Sequence, residues 1–240
     1  MEVYLNRIDG IDDALISLLM SKRSWTREKE EHIRKIVWNC TDRNGFPTFN
    51  KSADEVKEFN DKMKSLAKWG VSHITLLSFI DLSVTVEGMH RGGQDDIDAH
   101  AKRYDNRIIR NSTRLAKFGN EKSDFYKGKI LTLDDLCGYG VINLPESITV
   151  NHQKFVRVTN GYVLEEYADD KDVLRGLYPL SIPSSFVFKV NLKEWSHVYK
   201  ERNTNGSANP EVKLFAEKLQ DQIELKYPLF NRELMLKIKN

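Results

Sequence analysis

Arg202 follows Trp195, Val198 and Tyr199 at helical spacing, which puts a guanidinium on what is otherwise the apolar face of a helix. The start of that helix is well specified. Asn191 is a good N-cap, Glu194 stands at N3, and Val190 can pack on Trp195 as a hydrophobic staple. Lys193, His197 and Lys200 share the opposite face, so both sides carry polar chemistry. A guanidinium that leaves water has three fates: it snorkels past the helix end, pairs internally, or meets a fixed anion such as a phosphate. Arg175 lies in a turn-rich segment just before the strand-like run 186–190, so strand and helix could bring it beside Arg202. Two arginines can hold a phosphate dianion bidentately.

A second basic group precedes these. Arg103, Arg107, Arg110 and Arg114 recur at helical spacing, with Ile97, Ala101, Tyr104 and Ile108 as an apolar companion stripe, and together they predict a long charged helix over 94–117. The bland reading is a solvated face, but four arginines on one stripe repel one another, and a bound anion relieves that. At the start of the same helix, Asp96 and His100 are one turn apart beside Asp95 and Asp98. A second histidine pair at ligand spacing is missing, so these carboxylates read as an acidic first turn suited to the helix dipole, and no metal is expected.

At these residues the chain resembles the flavin-dependent thymidylate synthases, also called thymidylate synthase complementing proteins. The resemblance rests on Arg175, Leu177-Tyr178-Pro179, the strand 186–190, Asn191, Lys193, His197 and Arg202, in that order. Ala208-Asn209-Pro210-Glu211-Val212 resembles the segment that opens the family's final helix. Earlier, the strand 84–86 with Gly88 and Arg91, then His100, Asn106 and Ser112-Thr113-Arg114, resembles its Arg-His-Arg signature region, with Ala99 and Ala101 where the family has arginines.

The resemblance implies reductive methylation of dUMP at C5, with the methylene group from methylenetetrahydrofolate, FAD as cofactor and NADPH as reductant. It implies that Ser112, Arg114, Arg175 and Arg202 hold the nucleotide, Arg202 being the catalytic residue, and that His100, Asn106, Asn191, Lys193 and His197 face the flavin. It also implies a homotetramer. The loss of two signature arginines leaves an alternative open: a diverged member that binds a pyrimidine nucleotide with altered or lost flavin chemistry, such as hydroxymethyl transfer. The other class of thymidylate synthase attacks with a cysteine in a Pro-Cys-His setting. Cys40 in Trp-Asn-Cys-Thr and Cys137 in Leu-Cys-Gly lack that context and read as small buried residues.

The elements that must position these groups follow from composition and period. The chain has 240 residues, 40% hydrophobic and 30% charged, enough for one domain over 1–240. A formal net charge of +2 gives no global field for a polyanion, so a nucleic-acid module is the weakest rival. With two cysteines, no signal peptide and no long apolar run, a cytoplasmic protein away from the membrane is expected. Residues 11–37 read as helix in two pieces broken near Ser24. Ser52 and Glu55 form a capping box for a helix stopped by Gly70. Ile80, Leu82, Val84 and Val86 alternate with polar residues as a half-buried strand, while 139–144 and 155–159 read as short strands. Asn209 and Pro210 open a last helix lined by Val212, Phe215, Ala216, Leu219 and Ile223. The sum is an α+β domain with a central, mostly antiparallel sheet flanked by long helices.

Overall fold

The computed structural model describes residues 1–48, 51–100, 107–112, 122–204 and 208–238. Its strands and helices run in the order β1 (Glu2–Asp9), α1 (Ile11–Ser21), α2 (Arg27–Cys40), α3 (Ala53–Gly70), β2 (Asp81–His90), α4 (Arg91–His100), β3 (Arg107–Arg110), α5 (Leu133–Gly138), β4 (Ser147–Val150), β5 (Gln153–Val158), β6 (Gly161–Leu164), α6 (Lys171–Leu174), β7 (Pro183–Asn191), α7 (Leu192–Thr204), α8 (Pro210–Lys226) and α9 (Arg232–Lys237). One sheet has the order β1-β2-β7-β3 and a second, three-stranded sheet the order β4-β5-β6. Helix and sheet are mixed as the α+β expectation requires. The chain divides into two compact units: 1–2 with 87–94 and 110–186, and 3–86 with 95–109 and 187–240.

The larger unit holds most of the apolar core. The alternation in β2 buries Leu82, Val84 and Val86 while their neighbours stay partly exposed, because successive strand residues face opposite sides. Phe188, Trp195, Phe215 and Ile223 join them. Phe215 meets Phe188 and Trp195 edge-on, with ring centroids 6.3 and 6.0 Å away. The buried indole N–H of Trp195 donates to Gln220 Oε1 at 2.9 Å, and Gln220 Nε2 donates to the Phe230 carbonyl at 2.7 Å, so these buried polar groups are satisfied.

Helix ends are set by side chains, as expected from the sequence. Glu55 N–H donates to Ser52 Oγ at 3.4 Å and Ser52 Oγ donates to Glu55 Oε2 at 3.0 Å, opening α3, which ends at Gly70. Asn209 Oδ1 accepts from Glu211 N at 3.0 Å with Pro210 at the first position of α8. Two glycines are required by contact as well as by conformation. Gly10 has φ 78°, and a Cβ there would lie 1.9 Å from the Phe79 carbonyl oxygen; at Gly45, φ 75°, a Cβ would lie 1.8 Å from that of Ile8.

The smaller unit is built on hairpins. β4 and β5 are antiparallel with Val150 opposite Gln153, and the two-residue turn between them uses Asn151 and His152 at φ 51° and 64°. β5 and β6 pair with Val158 opposite Gly161 around Asn160, φ 59°. Thr132 and Asp135 form a complete capping box on α5. Lys122 bonds the same carboxylate, and its hydrogen bond, ahead of those from Thr132, holds the Asp135 carboxyl down at about 2.

Two expectations fail here, and one strand is unanticipated. Of the helix expected over 94–117, the described residues hold α4 as far as His100, and Arg107–Arg110 is a strand, so Arg107 and Arg110 do not share a helical stripe; Arg103 and Arg114 lie outside the described residues. The paired isoleucines Ile108 and Ile109 favour the extended chain, and Asn111 N donates to the Ser185 carbonyl at 3.0 Å beyond β3. The run 139–144 is not a strand, because α5 occupies Leu133–Gly138 and Gly140 turns the chain at φ 69°. The sequence does not announce β1: its alternation breaks at Asn6 and Arg7, both exposed, which hides the period.

Gly10→Ala combines the left-handed penalty with a backbone overlap, and should cost about 3 kcal/mol or roughly 6–12 °C in Tm for a chain of this size. Thermal unfolding of the variant checks this; an unchanged Tm contradicts the close approach of Gly10 to Phe79.

Candidate functional site

The junction of β7 and α7 carries the first group of candidates. Asn191 ends the strand and caps the helix, accepting from Glu194 N through Oδ1 at 2.9 Å, while Leu192 N donates to the Ile80 carbonyl beside β2 at 2.8 Å. Those two bonds fix the angle at which α7 leaves the sheet. From that start the helical period turns Trp195, Val198, Tyr199 and Arg202 inward, as the sequence predicts. Asn191 is only 2% exposed and its Oδ1 is committed to the cap, so the amide nitrogen is what it offers a ligand.

Arg202 is 5% exposed, which rules out snorkelling. Its Nη2 donates to the main-chain carbonyl of Asp96, on α4, at 2.8 Å. Its Nε is buried without a hydrogen-bond partner. Burial pushes the guanidinium below the ordinary arginine value, while the carboxylates of Asp96 and Glu201 oppose that shift; the group stays a cation. A buried cation with one edge tied to backbone and another N–H unmatched is suited to take an anionic or carbonyl oxygen.

Lys193 and His197 are one turn apart on α7 and both half-buried, so they offer a point charge and an imidazole on the face away from Trp195. In the smaller unit, Arg175 opens a short 3-10 turn, exposed, with Nη1 on Asp172 Oδ1 at 3.4 Å. Ser112, also exposed, follows β3. Arg175 and Arg202 belong to different units, and their pairing on one phosphate stays a proposal. His100 closes α4; Asn106 and Arg114 lie outside the described residues.

The anchoring of α4 is not evident from sequence periodicity. Arg91 N donates to the Ile182 carbonyl and Gly92 N to that of Leu180, each at 3.1 Å, which satisfies the first N–H groups of the helix. Gln94, wholly buried, donates from Nε2 to the carbonyls of Met89 at 3.0 Å and Ser184 at 3.2 Å, and its own carbonyl accepts from Arg110 Nη2 at 3.3 Å. The His90 ring lies over the first turn, where a Cβ on Gly93 would come within 2.6 Å of it. The signal was the His90-Arg-Gly-Gly run directly after a strand, where adjacent glycines mark a close approach.

Among the described residues no group of three or more His, Cys, Asp or Glu could hold a metal. Cys40 is buried, as expected, with its thiol pushed up chiefly by that burial, whereas Cys137 is half-buried at the end of α5. Among the described residues no helix is long and apolar enough to cross a membrane.

Known proteins place this architecture. Two crystal structures of thymidylate synthase X from Helicobacter pylori, both with FAD and dUMP, are each 11% identical to this chain at a TM-score of 0.55, covering 98% of it and 99% of the other. At that identity they establish the fold. No curated protein matches. The matched family model spans residues 23–229, from the start of α2 through α8, and so takes in the capped α7, buried Arg202 and anchored α4: the chain belongs to the thymidylate synthase complementing protein family.

Proposed function

We propose that this protein is a flavin-dependent thymidylate synthase, forming dTMP from dUMP with methylenetetrahydrofolate as carbon donor and NADPH as reductant. The observation that carries the reading is family membership over 23–229. Arg202 supports it: a buried cation with an unmatched N–H suits an oxygen of a pyrimidine nucleotide. FAD, when bound, supplies the hydride that completes the methyl group. The balance requires the C5 proton of the uracil to leave, the methylene carbon to enter in its place as its bonds to the folate nitrogens break and tetrahydrofolate departs, and a hydride originating from NADPH to reduce that carbon.

What falls to this chain is binding and polarisation. C5 becomes nucleophilic as charge develops on the pyrimidine oxygens, and a guanidinium fixed against backbone needs no reorganisation to meet it. In this reading Arg202 faces the pyrimidine as the catalytic residue, with Arg175, Ser112 and Arg114 as its partners in holding the nucleotide. His100, Asn106, Asn191, Lys193 and His197 face the flavin. The half-buried Lys193 and His197 fit its phosphates and ring oxygens, and Asn191 contributes its amide nitrogen. Assembly as a homotetramer in the cytoplasm belongs to the same proposal. A second reading is favoured by Ala99 and Ala101, which stand where the family carries signature arginines. It is a diverged member that binds a pyrimidine nucleotide with altered or lost flavin chemistry.

The visible spectrum of the purified protein, recorded with added FAD before and after dUMP, separates the two. Bound oxidised flavin whose spectrum shifts with dUMP is the expected outcome; nucleotide binding without any flavin binding selects the diverged reading. A guanidinium fork at position 193 should hold flavin phosphate better than the ammonium, so Lys193→Arg should tighten FAD binding about fivefold, near 1 kcal/mol. Fluorescence titration with FAD checks this, and equal or weaker affinity places Lys193 away from the flavin.

A further inference from the structure

β1 ends the sheet order β1-β2-β7-β3, so among the described residues one of its edges has no neighbouring strand. Such an edge is a row of donors and acceptors ready to pair with another chain. On β1 three of those groups are engaged by other parts of the chain. Leu5 N donates to Gln222 Oε1 of α8 at 2.7 Å, and Gln222 Nε2 donates to the Val3 carbonyl. A carboxamide carries the same donor and acceptor as a peptide group, and Val3 and Leu5, two apart, present theirs on one side of the strand. Gln222 therefore offers β1 what one peptide of an added strand would offer. Asn6 Nδ2 meanwhile bonds Thr85 Oγ1 of β2 at 2.7 Å.

The break in alternation extends the closure. Asn6 and Arg7 are both exposed, and the side-chain phase shifts by one, so that Val3, Leu5 and Ile8 are all buried. Ile8 N donates to the Asn44 carbonyl at 2.9 Å. Next to Asn44, Gly45 brings its Cα against the Ile8 carbonyl, where a Cβ would overlap it. Tyr227 on the turn after α8 donates its hydroxyl to the Gly45 carbonyl and fixes that loop. Burial of Tyr227 pushes its hydroxyl well above the ordinary tyrosine range.

We infer that Gln222, with the Asn44-Gly45 loop, is an edge closure: it occupies the free side of β1 and blocks strand addition by a second copy of this chain. Contacts between copies are thereby directed away from this edge. Tyr4, half exposed beside the closure, would otherwise lie in an extendable strand face.

The test uses the full-length protein. Gln222→Met keeps the side-chain length without either hydrogen bond, and Gln222→Ala removes both length and bonds. Amide exchange at Leu5 should accelerate at least tenfold in either variant while that of β2 stays protected. Sedimentation should show association beyond the wild-type state. Adding Tyr4→Lys to Gln222→Met places a charge on the opened strand and should restore the wild-type association state without restoring Leu5 protection. Unchanged Leu5 exchange in Gln222→Met overturns the inference, as does association that Tyr4→Lys leaves in place. If Gln222→Ala fails to fold, Gln222→Met carries both readouts.

Discussion

A guanidinium buried against a backbone carbonyl is the constraint around which the larger unit is arranged. Arg202 lies on the inner face of α7, and the Asp96 carbonyl on α4 is the hydrogen-bond partner of its Nη2. Burying a cation costs several kcal/mol unless the surroundings repay it, and one neutral carbonyl with two nearby carboxylates repays part. The unmatched Nε marks where the remainder would come from. A protein selected only for stability would place methionine or leucine at this position.

The rest of α7 serves that placement. Its start is fixed twice, by the Asn191 cap and by the bond from Leu192 N to the Ile80 carbonyl, so the helix cannot rotate without losing both. Its inner face is then pinned by the aromatic packing of Trp195 against Phe215. α4 is held independently at its first turn by the Ile182 and Leu180 carbonyls and by buried Gln94. α7, with its start fixed, thus bears Lys193, His197 and Arg202 on a rigid element, which is how groups dependent on orientation are held.

Local chemistry was legible in the sequence wherever one side chain decides a boundary. Ser52 with Glu55, Asn191 with Glu194, and Asn209 with Pro210 set helix starts through bonds two or three residues away, which periodicity and capping rules see directly. The alternation of β2 is likewise local. The arginine series misled because spacings of three and four fit a helix, yet Arg107–Arg110 is extended, and period alone cannot weigh two adjacent isoleucines against it. β1 was missed for the converse reason, its period being broken by an extra exposed residue.

For the site, the sequence indicated that Arg202 lies on the apolar face of its helix, but not whether it would be buried or what it would meet. Its partner carbonyl is 106 residues away, and a backbone oxygen leaves no side-chain signature. Gln94 was invisible because its role is to satisfy two carbonyls, Met89 and Ser184, whose convergence only the fold produces. The glycines that admit His90 were visible as residues and unreadable as a contact.

Calorimetric titration of dUMP into the wild type and into Arg202→Met tests the central claim most directly. Methionine fills the buried space without the charge, so the variant should unfold within a few degrees of the wild type. The account predicts dUMP affinity lowered at least about a hundredfold, near 2.7 kcal/mol, as expected when a charge-assisted hydrogen bond in a desolvated site is lost. Equal affinity in a folded Arg202→Met variant would contradict it, and would leave Arg202 as a strut between α7 and α4.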